Sequence, residues 1–227
     1  DQRRIELNGS MAGPSAIGLE LRGGNCQIYY FIIHSFASHG ILISGTPPPG
    51  QGGHIIRGNF IGTDYTGKEK KPNGGEGIYI ENTPNNQIGG TGADEGNVIA
   101  GNGGFGIVID GSDPDVDFQP NGAGNNSIEG NMIGMDADGN NVLANEDGGV
   151  MNENAPQTKI GDSTNTKSAN KLGGVNTGIT ITGNLSEGVR IESNSFLNGV
   201  NEKFLIDIFG RGGKALSIAQ NIFTEVD

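Results

Sequence analysis

Short apolar runs recur along the chain, each opened by a glycine and each alternating inside and outside. They are Gly40-Ile41-Leu42-Ile43, Gly77-Ile78-Tyr79-Ile80, Gly106-Ile107-Val108-Ile109, Gly178-Ile179-Thr180-Ile181 and Gly188-Val189-Arg190-Ile191. Each predicts a short strand with two aliphatic side chains on one face and one side chain on the other. A second pattern, Ile-x-Gly-Asn, occurs at Ile56-Arg57-Gly58-Asn59, Ile99-Ala100-Gly101-Asn102, Ile128-Glu129-Gly130-Asn131 and Ile181-Thr182-Gly183-Asn184. It predicts a strand followed by a bend, because Gly and Asn tolerate the left-handed conformations that corners require.

These patterns repeat at long range. An ungapped offset of 72 residues sets the segment at about 54–109 against 126–181, aligning Gly58 to Asp64 with Gly130 to Asp136, Asn73 with Asn145, and Pro84, Ile88 and Gly89 with Pro156, Ile160 and Gly161. Matches at so many separated positions predict a repeat architecture. The strands return roughly every 22 to 30 residues, which suits one turn of a parallel β-solenoid better than a hairpin meander, and places Asp64 and Asp136 three coils apart.

Composition narrows the class further. Of 227 residues 42 are Gly, and the hydrophobic share is 33%. That much glycine disfavours helical bundles and coiled coils, and no apolar run approaches the ~20 residues of a membrane-spanning helix. The expectation is a single soluble all-β domain over residues 1–227. The formal net charge of −12 repels phosphate backbones and anionic headgroups, so neither nucleic acid nor membrane insertion is expected. Cys26 has no second thiol to pair with and reads as a small buried apolar residue in a β-rich stretch.

In a solenoid the paired isoleucines point inward and stack on their equivalents in adjacent coils, about 4.8 Å away. Asparagines at the bends stack in the same way into amide ladders. Asn59, Asn102, Asn131, Asn184 and Asn194 are assigned this structural role. The runs Gly58 to Gly67, Asn82 to Gly90 and Asn97 to Ile109 resemble the right-handed parallel β-helix repeats of large bacterial secreted and cell-surface proteins, within the pectin-lyase-like architecture. The resemblance implies a single-stranded right-handed parallel β-helix (solenoid) of roughly seven to eight coils, with an extracellular or cell-surface location. That architecture hosts lyases, hydrolases, epimerases, adhesins and spacers, so it does not by itself select a function.

Candidate chemistry is sparse. Asp113, Asp115 and Asp117, in the loop after Asp110, are carboxylates at alternate positions that could ligate Ca²⁺, although the spacing is not that of an EF-hand. Ser38-His39-Gly40 resembles the Gly-His-Gly segment of polygalacturonases, but the adjacent aspartates of that family are missing. His34, His39 and His54 lie within one short stretch without a metal-ligand spacing. Arg57 and Arg190 are the outward basic residues best placed for catalysis, and neither has an evident acid partner in the sequence. The outward positions Leu42, Tyr79, Val108 and Met151 form an apolar stripe across four successive coils, a candidate binding surface.

No capping helix is evident near Arg3 to Leu7 or Leu216 to Phe223. The expected partners are therefore the chain itself, through solenoid ends or further coils of the same polypeptide, and cell-surface polysaccharide. The reading that follows is a non-catalytic extracellular structural or adhesive module without a cofactor. A polysaccharide lyase or epimerase acting on acidic glycans with Ca²⁺ is the alternative, and a carbohydrate-binding module built around Tyr79 is a further one.

Overall fold

The computed structural model describes residues 5–45, 52–111, 122–174, 176–183, 186–198, 206–209 and 216–225. Its strands pair only in parallel and form three sheets that the chain visits in turn. Sheet I contains Ile5–Asn8, Phe31–His34, Phe60–Ile61, Val98–Ile99, Met132–Ile133, Lys171–Gly174, Ser195–Asn198 and Ile222–Glu225. Sheet II contains Leu19–Leu21, Ile41–Ser44, Ile78–Glu81, Phe105–Asp110, Gly148–Glu153, Thr177–Thr182 and Ile206–Ile208. Sheet III contains Gln27–Tyr29, Ile55–Arg57, Gln87–Gly89, Ser127–Glu129, Lys159–Ile160, Arg190–Glu192 and Ser217–Ala219. Each strand bonds to the strand one circuit earlier and one circuit later. The molecule is a right-handed parallel β-helix, the sense that parallel crossovers take. The single 3-10 turn, Thr166–Ser168, is the only helical element among the described residues.

The register explains the apolar alternation. On sheet I, Leu7, Ile33, Ile61, Ile99, Ile133, Leu172, Phe196 and Phe223 form one inward column. On sheet III, Ile28, Ile56, Ile88, Ile128, Ile160, Ile191 and Ile218 form another. These columns merge into one buried core with Ile41, Ile78, Ile107, Val150 and Ile179 of sheet II. Stacking identical aliphatics one coil apart removes each from water, worth roughly 1.5–3 kcal/mol per fully buried side chain. The columns end openly at one end of the stack: Ile208, Ile218 and Phe223 are 41%, 46% and 57% exposed.

Each corner of the helix carries a ladder of polar side chains. Between sheets III and I stand Asn59, Asn97, Asn131, Asn170, Asn194 and Asn221. Each side-chain amide donates to the carboxamide oxygen of the next, at 2.9–3.1 Å. The same amide also donates to a backbone carbonyl of the preceding coil, as Asn131 does to Ile88 at 2.9 Å. Between sheets I and II the ladder is Asn73, Asn102 and Asn145, and between II and III it includes Asn86 and Asn126. Glycine at or near the start of sheet II strands leaves room for the second ladder. A Cβ on Gly77 would lie 2.9 Å from Asn102 Nδ2, and one on Gly106 would lie 2.8 Å from Asn145 Nδ2.

Two expectations need correction. The 72-residue offset carries Phe60–Ile61 onto Met132–Ile133, which flank Val98–Ile99 in sheet I, so it spans two coils rather than three. Two of the coils carry a loop closed by aspartate, one at Asp64 and one at Asp136. Asp64 accepts hydrogen bonds from the Thr66 hydroxyl and the backbone N–H groups of Lys68 and Glu69. Asp136 accepts from the N–H groups of Asn140 and Asn141 and from the Asn141 side chain. Burial opposes ionisation of both carboxyls, yet these donors outweigh it and hold both below the usual range. The loops bridge the coil between them, since Ala137 N–H donates to Gly67 O and Gly101 N–H to Leu143 O. Lys68 pairs with Asp138 at 2.6 Å, and Lys70 donates to Ala144 O at 2.8 Å.

The second correction concerns Gly188-Val189-Arg190-Ile191. This run belongs to sheet III, where Arg190 pairs with Lys159, whereas Thr180 of sheet II is followed by Asp207. The four-residue pattern reports alternation but not which sheet receives it.

His54 replaces an asparagine at the start of the third ladder. Its Nδ1 accepts from Cys26 N–H at 3.2 Å and its own N–H donates to Asn86 Oδ1. The ring is fully buried. Burial lowers its pKa below the ordinary 6.5 and outweighs the opposing interaction with the Gly23 backbone.

Two predictions follow from the ladders. Asn131→Ala strips the acceptor from the Asn97 backbone and side-chain N–H groups and the donor from Ile88 O, costing about 2–4 kcal/mol in chemical denaturation, whereas Asn221→Ala at the ladder's end costs less. A neutral His54 in the folded state means that the unfolded chain binds the proton first, so stability is lost as pH falls below 6.5. His54→Asn extends the ladder and removes that loss, which thermal melts at neutral and mildly acidic pH will register.

Candidate functional site on the outer face of sheet II

The three outer faces differ in chemistry. On sheet I the outward column Ile32, Phe60, Val98 and Met132 forms a small apolar cluster with Ala100, Ala137 and Leu143. The aspartate loops fold over it; a Cβ on Gly67 would lie 3.1 Å from the Phe60 ring, and one on Gly139 would lie 3.1 Å from Met132 Sδ. A cleft of about 640 Å³ remains beside this cluster, rimmed by Thr91 to Asp94 and Lys167.

Sheet III carries a network of paired charges. Arg57 bonds Glu95 at 2.6 Å and Gln87 at 2.8 Å, Lys159 bridges Glu129 and Asp162, and Glu192 accepts from Ser163 and Ser217 and lies 4.0 Å from Arg190 Nε. Arg57 and Arg190 therefore do have acid partners. Glu95 lies on a loop far from Arg57 in sequence, so only the stacking of coils brings the pair together.

Sheet II is the face with separated chemistry. Strand register aligns Glu20, Leu42, Tyr79, Val108, Met151, Thr180 and Asp207 in one outward column. Leu42, Tyr79 and Met151 are half-buried and Val108 is buried. The adjacent outward column reads Ser44, Glu81, Asp110, Glu153 and Thr182, so three carboxylates stack on successive coils. Its members end three separate strands, each directly after the glycine-led alternating run, a signal in the sequence that went unread because only the apolar positions of those runs were compared.

Tyr79 joins the two columns. Its hydroxyl donates to Asp110 Oδ2 at 2.7 Å, and its ring stacks on His39 with centroids 5.2 Å apart and planes 23° apart. His39 Nδ1 in turn lies 2.6 Å from Glu76 Oε2. Burial, then the bond to Asp110, pushes the Tyr79 phenol well up, so it stays protonated as a donor. The bond to His39 outweighs burial at Glu76 and holds its carboxyl low. Burial, then the nearby Asp110 charge, raises Glu153.

The seven described strands of sheet II contain Glu20, Glu81, Asp110, Glu153 and Asp207 and no Lys or Arg, while those of sheet III mix Arg57, Lys159 and Arg190 with Glu129 and Glu192.

The remaining sequence candidates disperse. His34 lies on sheet I, bonded to Glu6 at 2.8 Å, His39 beside sheet II, and His54 at the corner between sheets II and III, so the three do not meet. Among the described residues no group of three His, Cys, Asp or Glu side chains could hold a metal ion. Asp113, Asp115, Asp117 and Asn184 lie outside the described residues. Asn59, Asn131 and Asn194 stand in the six-membered ladder and Asn102 in a different one. Among the described residues no helix is long and apolar enough to cross a membrane.

Glu153 offers a check on this electrostatic picture. Its folded pKa lies above the ordinary 4.5, so ionising it as pH rises through that value costs stability. Glu153→Gln is expected to raise the melting temperature at neutral pH and to leave it unchanged near the acid limit, where the wild-type carboxyl is already protonated.

No family model and no curated protein matches the chain. Among solved structures it is similar to the A-module of the mannuronan C-5 epimerase AlgE6 from Azotobacter vinelandii, at 15% identity and a TM-score of 0.39, over 92% of this chain and 60% of that one. The chain thus spans less than two thirds of that module's length.

Proposed function

We propose that this chain is a non-catalytic structural or adhesive β-solenoid module of the extracellular or cell-surface type. The observation that carries the reading is the use of its recurring polar side chains. The asparagines are spent on ladders, the loop aspartates on closing turns, and the sheet III charges on one another. Groups held this way stabilise a long rigid rod and are not available to a substrate. In this reading the open core end at Ile208, Ile218 and Phe223 receives a further parallel coil.

A second reading, a polysaccharide lyase or epimerase, is favoured by one observation. His39 and Tyr79 stack, each with a carboxylate partner, and such groups can accept and donate protons. The charge of the face weighs against an acidic glycan, because no described Lys or Arg on the sheet II strands would neutralise a uronate carboxylate.

Pectate and alginate incubated with the protein, with and without Ca²⁺, separate the two. The expected result is no unsaturated chain ends and no change in uronate configuration. Turnover that disappears in His39→Ala or Tyr79→Phe overturns the non-catalytic assignment.

A further inference from the structure

We infer that His54 is an acid-sensitive latch: protonating its ring releases the corner at residues 23–26 and opens the coil Ile5–Tyr29 along sheet III, while the rest of the stack stays closed. The inference goes beyond the reading above and holds whether the solenoid is a scaffold or an enzyme.

The latch follows from ladder chemistry. Between sheets II and III each ladder member accepts the backbone N–H of the member one coil earlier. Asn126 Oδ1 takes the Asn86 N–H at 2.8 Å, Asn86 Oδ1 takes the His54 N–H at 3.0 Å, and His54 Nδ1 takes the Cys26 N–H at 3.2 Å. A backbone amide can only donate, so Nδ1 carries no proton and the neutral ring holds its proton on Nε2. A carboxamide oxygen keeps its lone pairs in mild acid, whereas Nδ1 does not. Once protonated, Nδ1 is a second donor facing the Cys26 N–H, on a ring that is fully buried.

The corner that the latch holds is lightly tethered. Asn25 N–H donates to Gly52 O and Ile55 N–H to Cys26 O, each at 2.9 Å. Residues 22–25 are exposed, and the strand Gln27–Tyr29 has only three residues. On the other side of the same coil, Ile5–Asn8 pairs along its whole length with Phe31–His34. Glu6 there bonds His34 Nε2 at 2.8 Å, and a proton on His34 turns that bond into an ion pair instead of breaking it. Acid therefore loosens the sheet III side and leaves the sheet I side as the hinge.

The titratable side chains on the elements around the latch are Glu20, Arg22 and Cys26 on the coil before, Arg57 on its own strand and Glu81 on the coil after. Glu20 pairs with Arg22, Arg57 with Glu95, and Glu81 lies on the outer face of sheet II. Among the described residues no carboxylate compensates a charge on the ring, in contrast to His34 with Glu6 and His39 with Glu76. Burial holds the closed ring below the ordinary 6.5, and an opened ring titrates near it. The proton thus binds the open form first, and the open fraction grows as pH falls below 6.5, by up to about tenfold per unit.

Amide hydrogen exchange followed by NMR on the full chain tests the latch. Between pH 7.5 and pH 5, after correction for intrinsic exchange, protection of the Cys26 amide is expected to fall about tenfold or more while the Asn86 and Asn131 amides keep theirs. In His54→Asn the Cys26 amide is expected to stay protected over the same range. Independently of any variant, nitrogen-15 shifts of the wild-type ring are expected to show Nδ1 unprotonated at pH 7.5 and to titrate together with the loss of protection.

Constant protection at Cys26, a fall shared equally by Asn131, the same fall in a folded His54→Asn protein, or a protonated Nδ1 at pH 7.5 overturns the inference.

Discussion

The structure depends on the contact each residue makes with its own equivalent one coil away. Parallel stacking fixes that separation near 4.8 Å, so every position must tolerate its neighbour's chemistry above and below. Isoleucine on isoleucine is favourable, and so is asparagine on asparagine, because a carboxamide both donates and accepts. The six-membered ladder from Asn59 to Asn221 satisfies backbone groups of adjacent coils along the way. A low hydrophobic share is therefore compatible with an ordered core, since the corners are held by hydrogen bonds rather than apolar area.

The same rule makes departures from it informative. His54 fits the third ladder through Nδ1, but as a buried titratable ring where the ladder elsewhere has a neutral amide. Asn152 stands between Ile109 and Ile181 in an inward column of sheet II, and its Oδ1 has no partner. The carboxylate column Glu81, Asp110 and Glu153 breaks the rule outward, where stacking places like charges together. On sheet III Arg190 stacks on Lys159, but each base has an acid beside it, Lys159 with Glu129 and Asp162 and Arg190 with Glu192. The described strands of sheet II carry no Lys or Arg, and this difference gives the solenoid one chemically distinct side.

The aspartate loops set the longer period. The loops at Asp64 and Asp136 lie two coils apart and touch through Ala137 and Gly67, and both cover the apolar column of sheet I. The 72-residue repeat joins these two loops.

Alternation and repetition in the sequence determined the parallel β-helix, the inward isoleucines and the outward stripe, because these depend only on the two-residue period of a strand. The sequence did not determine which corner a given Ile-x-Gly-Asn serves. Asn59 closes the turn from sheet III to sheet I, whereas Asn102 closes the turn from sheet I to sheet II, with the same four-residue pattern. Asn170 and Asn221 lay in no recognised motif, and Arg57 with Glu95, or His39 with Tyr79, are distant along the chain. Those partnerships are made by coil length and register, which loops of unequal size set, and only the folded stack brings them within hydrogen-bonding distance.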